Sequence, residues 1–587
     1  MPQTKLSSHY KLNLLVVLLI LYLVGFGHFS HIGKGYPYGD GIEYLLTTEA
    51  WATQGNPEIN TKTAESFIGY LQSHNIPIYK KKWFQIWYGH LQAFEEDRQN
   101  GTVNYELRKA GLFQNKEGKL ISYHFPFLSL INTPARIVLH HLEADIRFSF
   151  LATNLFLIVF SLYVILTNSF FKRWQQIGLS LLLIFSPVLW YIDWPHPEVY
   201  AGTLTFIGGL FFISKKYYKS LLCFSLAAMH FQPLFIPAAL LFIPIIKRDR
   251  LKLNTLVKLF FCSFWVIVPA LFYLYHFGKP NLIVDEGFLD PNLIGLKRLS
   301  SFFFDLNQGM LIGIPFILIS LILLLLVDLI KRKLNHVFWG AIVILLMSLF
   351  FLQMTNWNHG NAVVNRYVVW TSTILIVAFF DRILKMKKGL GVAFLIIAIG
   401  TQAWVVLAQK DFGKIGYYVS RHNELAKYVF RNYPALYNPD PQIFIQRNNR
   451  YMLSSSDTVK VFTDKSDKIV KMMFYKNSLN QMIQRGVDSA KLAEYIPKLN
   501  FYLGYTYLNP KDLKALGYNQ DKDTLIEIIE RDKRDQIINN LMYQIHNTPE
   551  WKSNVEFNAK NIGISYDSAL KKHAETYYIN DIKKRNE

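Results

Sequence analysis

The chain has 587 residues, 51% hydrophobic and only 18% charged, a balance that a water-soluble chain of this length would find hard to keep in solution. Its formal net charge is +21, but many of the basic residues sit in short runs between apolar segments, which points to a membrane and away from nucleic acid. Both cysteines, Cys223 and Cys262, fall inside apolar stretches, so neither a disulfide framework nor a thiolate metal centre can be drawn.

In chain order, the first apolar run, 12–29, follows Lys5 and Lys11 and lacks a small-residue cleavage site, which reads as a retained anchor. Runs near 147–170, 175–192, 199–214, 219–231, 233–246, 256–276, 309–330, 336–353, 363–381 and 389–408 complete about eleven expected crossings. The pair 219–231 and 233–246 reads as two short helices meeting between Met229 and Pro233. A break there keeps both basic flanks on one side, and Pro233 supplies a physical reason for it. With the N-terminus cytoplasmic, the basic connections at 172–173, 215–219, 247–252, 331–333 and 382–388 all fall inside, and residues 30–146 and everything after 409 fall outside the cell membrane.

Within 30–146, helical spacing appears at 64–74 and 83–98. In the second stretch Trp83, Phe84, Trp87, Tyr88, Leu91 and Phe94 form an aromatic face suited to a membrane interface. Pro126 and Pro134 divide 121–142 into short surface helices. The expected fold class is an all-α polytopic membrane core over 1–410, with surface helices in its first extracytoplasmic loop and a small α+β extracytoplasmic domain over 411–587. In that domain 442–446 and 458–463 read as strands, the polar stretches after 485 as helices, and Thr548–Pro549 and Ser565 as helix starts.

Four clusters carry candidate chemistry. Gly39-Asp40-Gly41-Ile42-Glu43-Tyr44 places two carboxylates just outside the first span; a carboxylate there accepts a proton from a sugar hydroxyl or coordinates a divalent cation such as Mg or Mn, or else Asp40 merely caps the following helix. His196 and Glu198, at the outer end of the third span, form a second polar wall or an interfacial cap. His230 sits at the expected helix break, as a ligand or as a packing hydrogen bonder. His359, Arg366 and Tyr367 lie at the entrance to the tenth span, where a guanidinium matches a lipid-linked phosphate or snorkels to headgroups. Tyr123 and His124 precede the Pro126 break. The sequence carries no Walker loop, dinucleotide fingerprint or metalloprotease motif. An outward-facing enzyme without a nucleotide site needs a substrate activated on the membrane, and a polyprenyl-phosphate sugar meets that need.

On the acidic motif around Asp40 and Glu43, on Tyr123-His124-Phe125-Pro126-Phe127 and on Asn365-Arg366-Tyr367, residues 10–410 resemble the GT-C superfamily of membrane glycosyltransferases, in particular the bacterial mannosyltransferase and aminoarabinose-transferase-like branch. The usual paired acidic residues are here separated by Gly41 and Ile42, which leaves open which carboxylate is the base. The resemblance implies transfer of a sugar from a polyprenyl-phosphate donor to a lipid, glycan or protein acceptor, with inversion. In that picture Asp40 deprotonates the acceptor, Glu43 assists or binds a metal, and Arg366 with a histidine neutralises the leaving phosphate. The rival classes are a transporter or flippase, suggested by the broken helix, and a non-catalytic membrane scaffold whose C-terminal module binds a partner.

Overall fold

A computed structural model describes residues 40–76, 82–99, 111–333, 335–360, 363–408, 419, 421–448, 459–464, 468–484, 486–518, 538, 541–542, 545–546, 551–553, 555–556, 559 and 565–586. The expected first span, the residues before Asp40 and the Thr548–Pro549 helix start lie outside these. The chain divides into two compact units, Met1–Tyr418 and Val419–Glu587, in place of the expected boundary at 410.

The first unit is helical, with one small hairpin. Each later expected span coincides with an apolar helix or a broken pair of helices. Among the described residues, however, only Ile146–Thr167, Arg366–Leu384 and Lys388–Ala408 are long and apolar enough by themselves to cross a membrane. A fourth is added if Leu253–Val266 and Val268–Phe277, bent by 52°, count as one span. Helix length among the described residues therefore does not confirm the expectation of about eleven spans. Several candidates are short because polar or proline residues interrupt them: Arg173–Ile184 stops at Ser186-Pro187, where a 3-10 turn follows, and Glu198–Ile213 begins only after Pro195 and Pro197. The break at Met229–Pro233 is present. Tyr217–Ala228 ends there, a 3-10 turn spans Gln232–Leu234, and the next helix starts at Phe235.

After the first expected span the chain builds a small packed layer. Gly41–Gln54, Thr61–Ser73 and Lys82–Gln99 are helices, and an antiparallel hairpin pairs Leu112–Gln114 with Leu120–Ser122. Leu46, Phe67, Leu71, Leu91, Leu128 and Phe150 meet in its core. Two expectations change here. Leu91 and Phe94 of the aromatic face are buried in this core, in one apolar cluster with Phe67, Leu71 and Leu112. The 121–142 stretch is a strand end followed by one helix, Phe127–His141, that runs through Pro134. Pro134 lies on the exposed face, so the carbonyl it frees is not walled in, while Asn132 and Arg136 pin the buried face. Asn132 Nδ2 donates to Thr48 Oγ1 and Ser149 Oγ, and Arg136 forks onto Glu49 through Nε and Nη2, both at 2.7 Å. That buried bidentate pair locks Phe127–His141 to Gly41–Gln54, and losing one partner of such a pair costs about 3–5 kcal/mol.

Glu198–Ile213 and Arg366–Leu384 pack closely. A Cβ on Gly209 would lie 2.9 Å from Val377 Cγ1, and one on Gly202 would lie 2.8 Å from Val188 Cγ2. Small residues at such crossings let backbones approach, and here they bring the N-terminal ends of the two helices together.

In the second unit three antiparallel strands, Val459–Thr463, Ile469–Tyr475 and Tyr505–Leu508, form a sheet in that order. The expected strand at 442–446 is instead part of the helix Pro441–Asn448. Asp440 Oδ1 accepts from Gln442 N at its start, and Ile443, Phe444 and Arg447 are buried with helical spacing. Ser565 does begin a helix, Tyr566–Asn586, accepting from Ser568 N. Lys471 is fully buried in this unit, its ammonium bonded to Pro434 O and Asn509 Oδ1 and placed over the rings of Phe430 and Tyr507.

Two consequences are measurable. Gly209→Val forces overlap with Val377 and is expected to lower stability by about 1–3 kcal/mol, read as a drop in Tm of the detergent-solubilised protein; an unchanged Tm would contradict the close crossing. Burial pulls the Lys471 ammonium down to about 7, so between pH 7 and its ordinary value the unfolded chain holds a proton that the folded chain lacks. Stability of this unit therefore rises with pH across that window, and Lys471→Met should flatten the rise. Thermal scans of both proteins at pH 6 and pH 9 make the comparison.

Candidate functional site

Asp40 stands at the start of the Gly41–Gln54 helix with helical backbone angles, and its side chain makes no capping hydrogen bond. The capping alternative is thereby removed. The carboxylate points instead at residues from three other parts of the chain: Oδ2 lies 3.7 Å from His124 Nε2, 3.5 Å from His196 Nε2 and 4.0 Å from Arg366 Nη1. His124 follows the hairpin, His196 ends the loop before Glu198–Ile213, and Arg366 opens the helix Arg366–Leu384.

Each imidazole is held from behind by a second carboxylate. His196 Nδ1 donates to Glu198 Oε2 at 2.6 Å, and both side chains are almost fully buried. His124 Nδ1 lies 3.3 Å from Glu43 Oε2, which also accepts a 2.7 Å hydrogen bond from Ser122 Oγ. Glu43 is one helical turn from Asp40 and lies on the same side of the helix. The ring of Tyr44 packs against both imidazoles, with centroids 5.0 Å from His124 and 5.3 Å from His196, which are themselves 5.5 Å apart. Tyr123 lies tilted against His124, ring centroids 3.9 Å apart, and its backbone O accepts from Tyr273 Oη at 2.7 Å.

The two carboxylates are driven apart in acidity. Burial pushes Glu43 well above the usual carboxylate range, and the charge of Asp40 adds to the rise. Burial also acts to raise Asp40, but the His196 hydrogen bond and the charges of His124, His196 and Arg366 overcome it and hold Asp40 well below its ordinary value. His196 is raised: the cost of burying its charge is outweighed by Glu198 and Asp40. His124 is pushed down to about 3, chiefly by burial. Asp40 is thus the ionised member and the accessible one, with a third of its side chain open, while Glu43 is closed in and its Oε2 is occupied.

Arg366 is placed by its own loop. Asn365 Oδ1 caps the helix by accepting from Tyr367 N, and its Nδ2 donates to Trp357 O, to which Gln308 Nε2 also donates. The Arg366 guanidinium lies beside the Tyr367 ring, 5.4 Å from its centroid, while its Nε is buried and has no hydrogen-bond partner among the described residues. His359 packs edge-on to Tyr367 at 5.0 Å with its Nε2 buried and unpartnered among the described residues, and burial together with the Arg366 charge pushes it well below its ordinary value. His230 stands apart from the Asp40 contacts, among Phe125, Phe127 and Tyr200, as a packing residue of the helix break.

Sequence reasoning missed Tyr44, Ser122 and Gly111. The first was legible as part of the acidic motif. The other two have no local signal, because their role depends on a long-range contact. Gly111 has φ +76°, and a Cβ there would overlap the Glu43 carboxyl group. Asp40, His124 and His196 also present ligand atoms within 4.8 Å of one another, compatible with a shared cation.

Gly111→Ala is expected to cost more than about 1 kcal/mol through the left-handed backbone alone and to expel the Glu43 carboxyl, freeing His124. A lowered Tm that Glu43→Ala partly restores in the double variant is the expected pattern; additive losses would contradict the contact. No family model, curated protein or solved structure matches this chain, so its chemistry is read from these side chains.

Proposed function

We propose that the chain is a multi-pass membrane glycosyltransferase of GT-C type that moves a sugar from a polyprenyl-phosphate donor to a lipid, glycan or protein acceptor on the extracytoplasmic face. In this reading the short apolar helices complete about eleven crossings of the cell membrane. The N-terminus is cytoplasmic, and the helices after the first crossing and the second unit lie outside. The observation that carries the reading is the convergence of an acidic carboxylate, two imidazoles each backed by a carboxyl side chain, and a guanidinium whose Nε is unpartnered among the described residues, at the ends of apolar helices.

The chemistry follows from what each group can do. The acceptor hydroxyl oxygen attacks the anomeric carbon as the bond from that carbon to the phosphate oxygen breaks, and the lipid phosphate leaves from the opposite face, which inverts the centre. The hydroxyl proton passes to Asp40, the open carboxylate, and not to Glu43, whose Oε2 is committed to Ser122 and His124. Arg366 takes the phosphate through its fork, with His196 beside it, and stabilises the charge that grows on the leaving group. Once a phosphate occupies Arg366, less of the guanidinium's charge falls on Asp40, and its carboxylate becomes a better proton acceptor. Tyr123, which is partly open, offers a ring against which a sugar face can pack.

Asp40→Asn keeps the shape of the side chain and removes its charge. It is expected to reduce transfer of labelled sugar from polyprenyl phosphate in reconstituted vesicles by about 100-fold or more with Tm little changed. Arg366→Lys, which keeps the charge and loses the fork, should raise the donor KM more than it lowers kcat. Undiminished transfer by Asp40→Asn would overturn the assignment of the base, and movement of intact sugar-lipid with no new glycosidic bond would replace the enzyme by a transporter.

A further inference from the structure

We propose that Asp40, His124 and His196 form a three-ligand site for a divalent transition metal of the zinc class, with a fourth position left open. The ion would engage Asp40 Oδ2 and the Nε2 atoms of the two histidines. Metal–ligand bonds of about 2.0 Å in a tetrahedral arrangement set ligand atoms about 3.3 Å apart. Here Asp40 Oδ2 is 3.5 Å from His196 Nε2 and 3.7 Å from His124 Nε2, and all three donors lie within 4.8 Å of one another. The two Asp40 distances are thus close to those a bound ion needs, and the histidines, within 4.8 Å, would draw together on binding.

The surroundings are those of a ligand set and go beyond three side chains that happen to be near one another. A metal-binding imidazole gives its other ring N–H to a carboxylate or carbonyl, which fixes the tautomer and aims the lone pair. Both histidines have that support: Glu198 accepts from His196 Nδ1 at 2.6 Å, and Glu43 Oε2 stands 3.3 Å from His124 Nδ1. Neither arrangement is required by simple core packing, and Glu198, 1% exposed, has no other salt-bridge partner among the described residues.

The donor chemistry also selects the metal. Magnesium prefers oxygen ligands in an octahedral shell, whereas two imidazoles and one carboxylate suit zinc, cobalt or iron. The proposed ion is thus softer than the Mg or Mn expected from the acidic motif. Arg366 Nη1 lies 3.5 Å from His196 Nε2, so an anionic oxygen taken up by the ion on that side would also meet the guanidinium. That last step rests on the phosphate-donor reading above; the ion site does not.

The test is titration of the purified, chelator-stripped full-length protein with Co(II), following the visible d–d absorption and then its displacement by Zn(II). One equivalent is expected to bind with the intense spectrum of a four-coordinate site, undisturbed by excess Mg(II). His124→Ala and His196→Ala should each weaken binding at least about tenfold, and Glu198→Gln, which leaves all three ligands in place, about 10–100-fold. Unchanged melting of His124→Ala shows that the loss is not unfolding, and if His196→Ala fails to fold, Glu198→Gln supplies the second reading. Absence of Co(II) binding, binding indifferent to these variants, or equal competition by Mg(II) would overturn the site. Transfer assays separate the two proposals: sugar transfer by stripped protein that binds no Co(II) defeats the metal and leaves the transferase, while stoichiometric Co(II) binding without any sugar transfer leaves the metal and defeats the transferase.

Discussion

Two carboxylates one helical turn apart cannot both remain ionised in a largely closed pocket, and the region around Asp40 and Glu43 is organised by that constraint. The structure resolves it by unequal surroundings. Glu43 is enclosed beneath Gly111 and Ser122, where the neutral form is favoured, while Asp40 faces two imidazoles and a guanidinium and keeps its charge. The two acids therefore differ in role although they share a helix. The separation depends on groups that come from the hairpin, from the loop before Glu198 and from the start of Arg366–Leu384.

Much of the remaining first unit serves to hold these approaches. The buried Glu49–Arg136 fork ties the Asp40 helix to Phe127–His141, and the Asn132 hydrogen bonds connect that layer to the helix Ser149–Thr167. On the other side, Gly202 and Gly209 allow Glu198–Ile213 to lie close to its neighbours, which sets Glu198 and His196 against Arg366. The site is thus built mainly at helix ends. Proline and glycine interrupt the apolar helices there, and the polar groups they release find one another.

The same polar groups link the two functional readings. An imidazole backed by a buried carboxylate is a good metal ligand, and when protonated it is also a good partner for an anion. A phosphate at Arg366 and an ion at Asp40 Oδ2 would occupy adjacent positions and reinforce each other, since each supplies the charge the other lacks. His359 and Tyr367 form a drier border on the Arg366 side, and Tyr123 with Tyr44 forms an aromatic border on the histidine side.

The sequence by itself determined the mostly helical character of the molecule, the positions of the longest apolar helices, the break at Met229–Pro233 and the elements from which the site is drawn. These follow from runs of apolar residues and from proline, whose effects are local. Asp40, His196 and Arg366 were also legible, because titratable groups at the ends of apolar runs are costly unless used. Tertiary structure alone decided that these residues meet, that Glu43 lies beneath Asp40 and is not its equal, that Leu91 and Phe94 turn inward, and that 442–446 is helical. Pro134 fits a continuous helix for the same reason, since its ring falls on an open face. Each of these outcomes depends on what lies opposite a side chain after the chain has folded back over long separations, and spacing along a single sequence does not encode that distance.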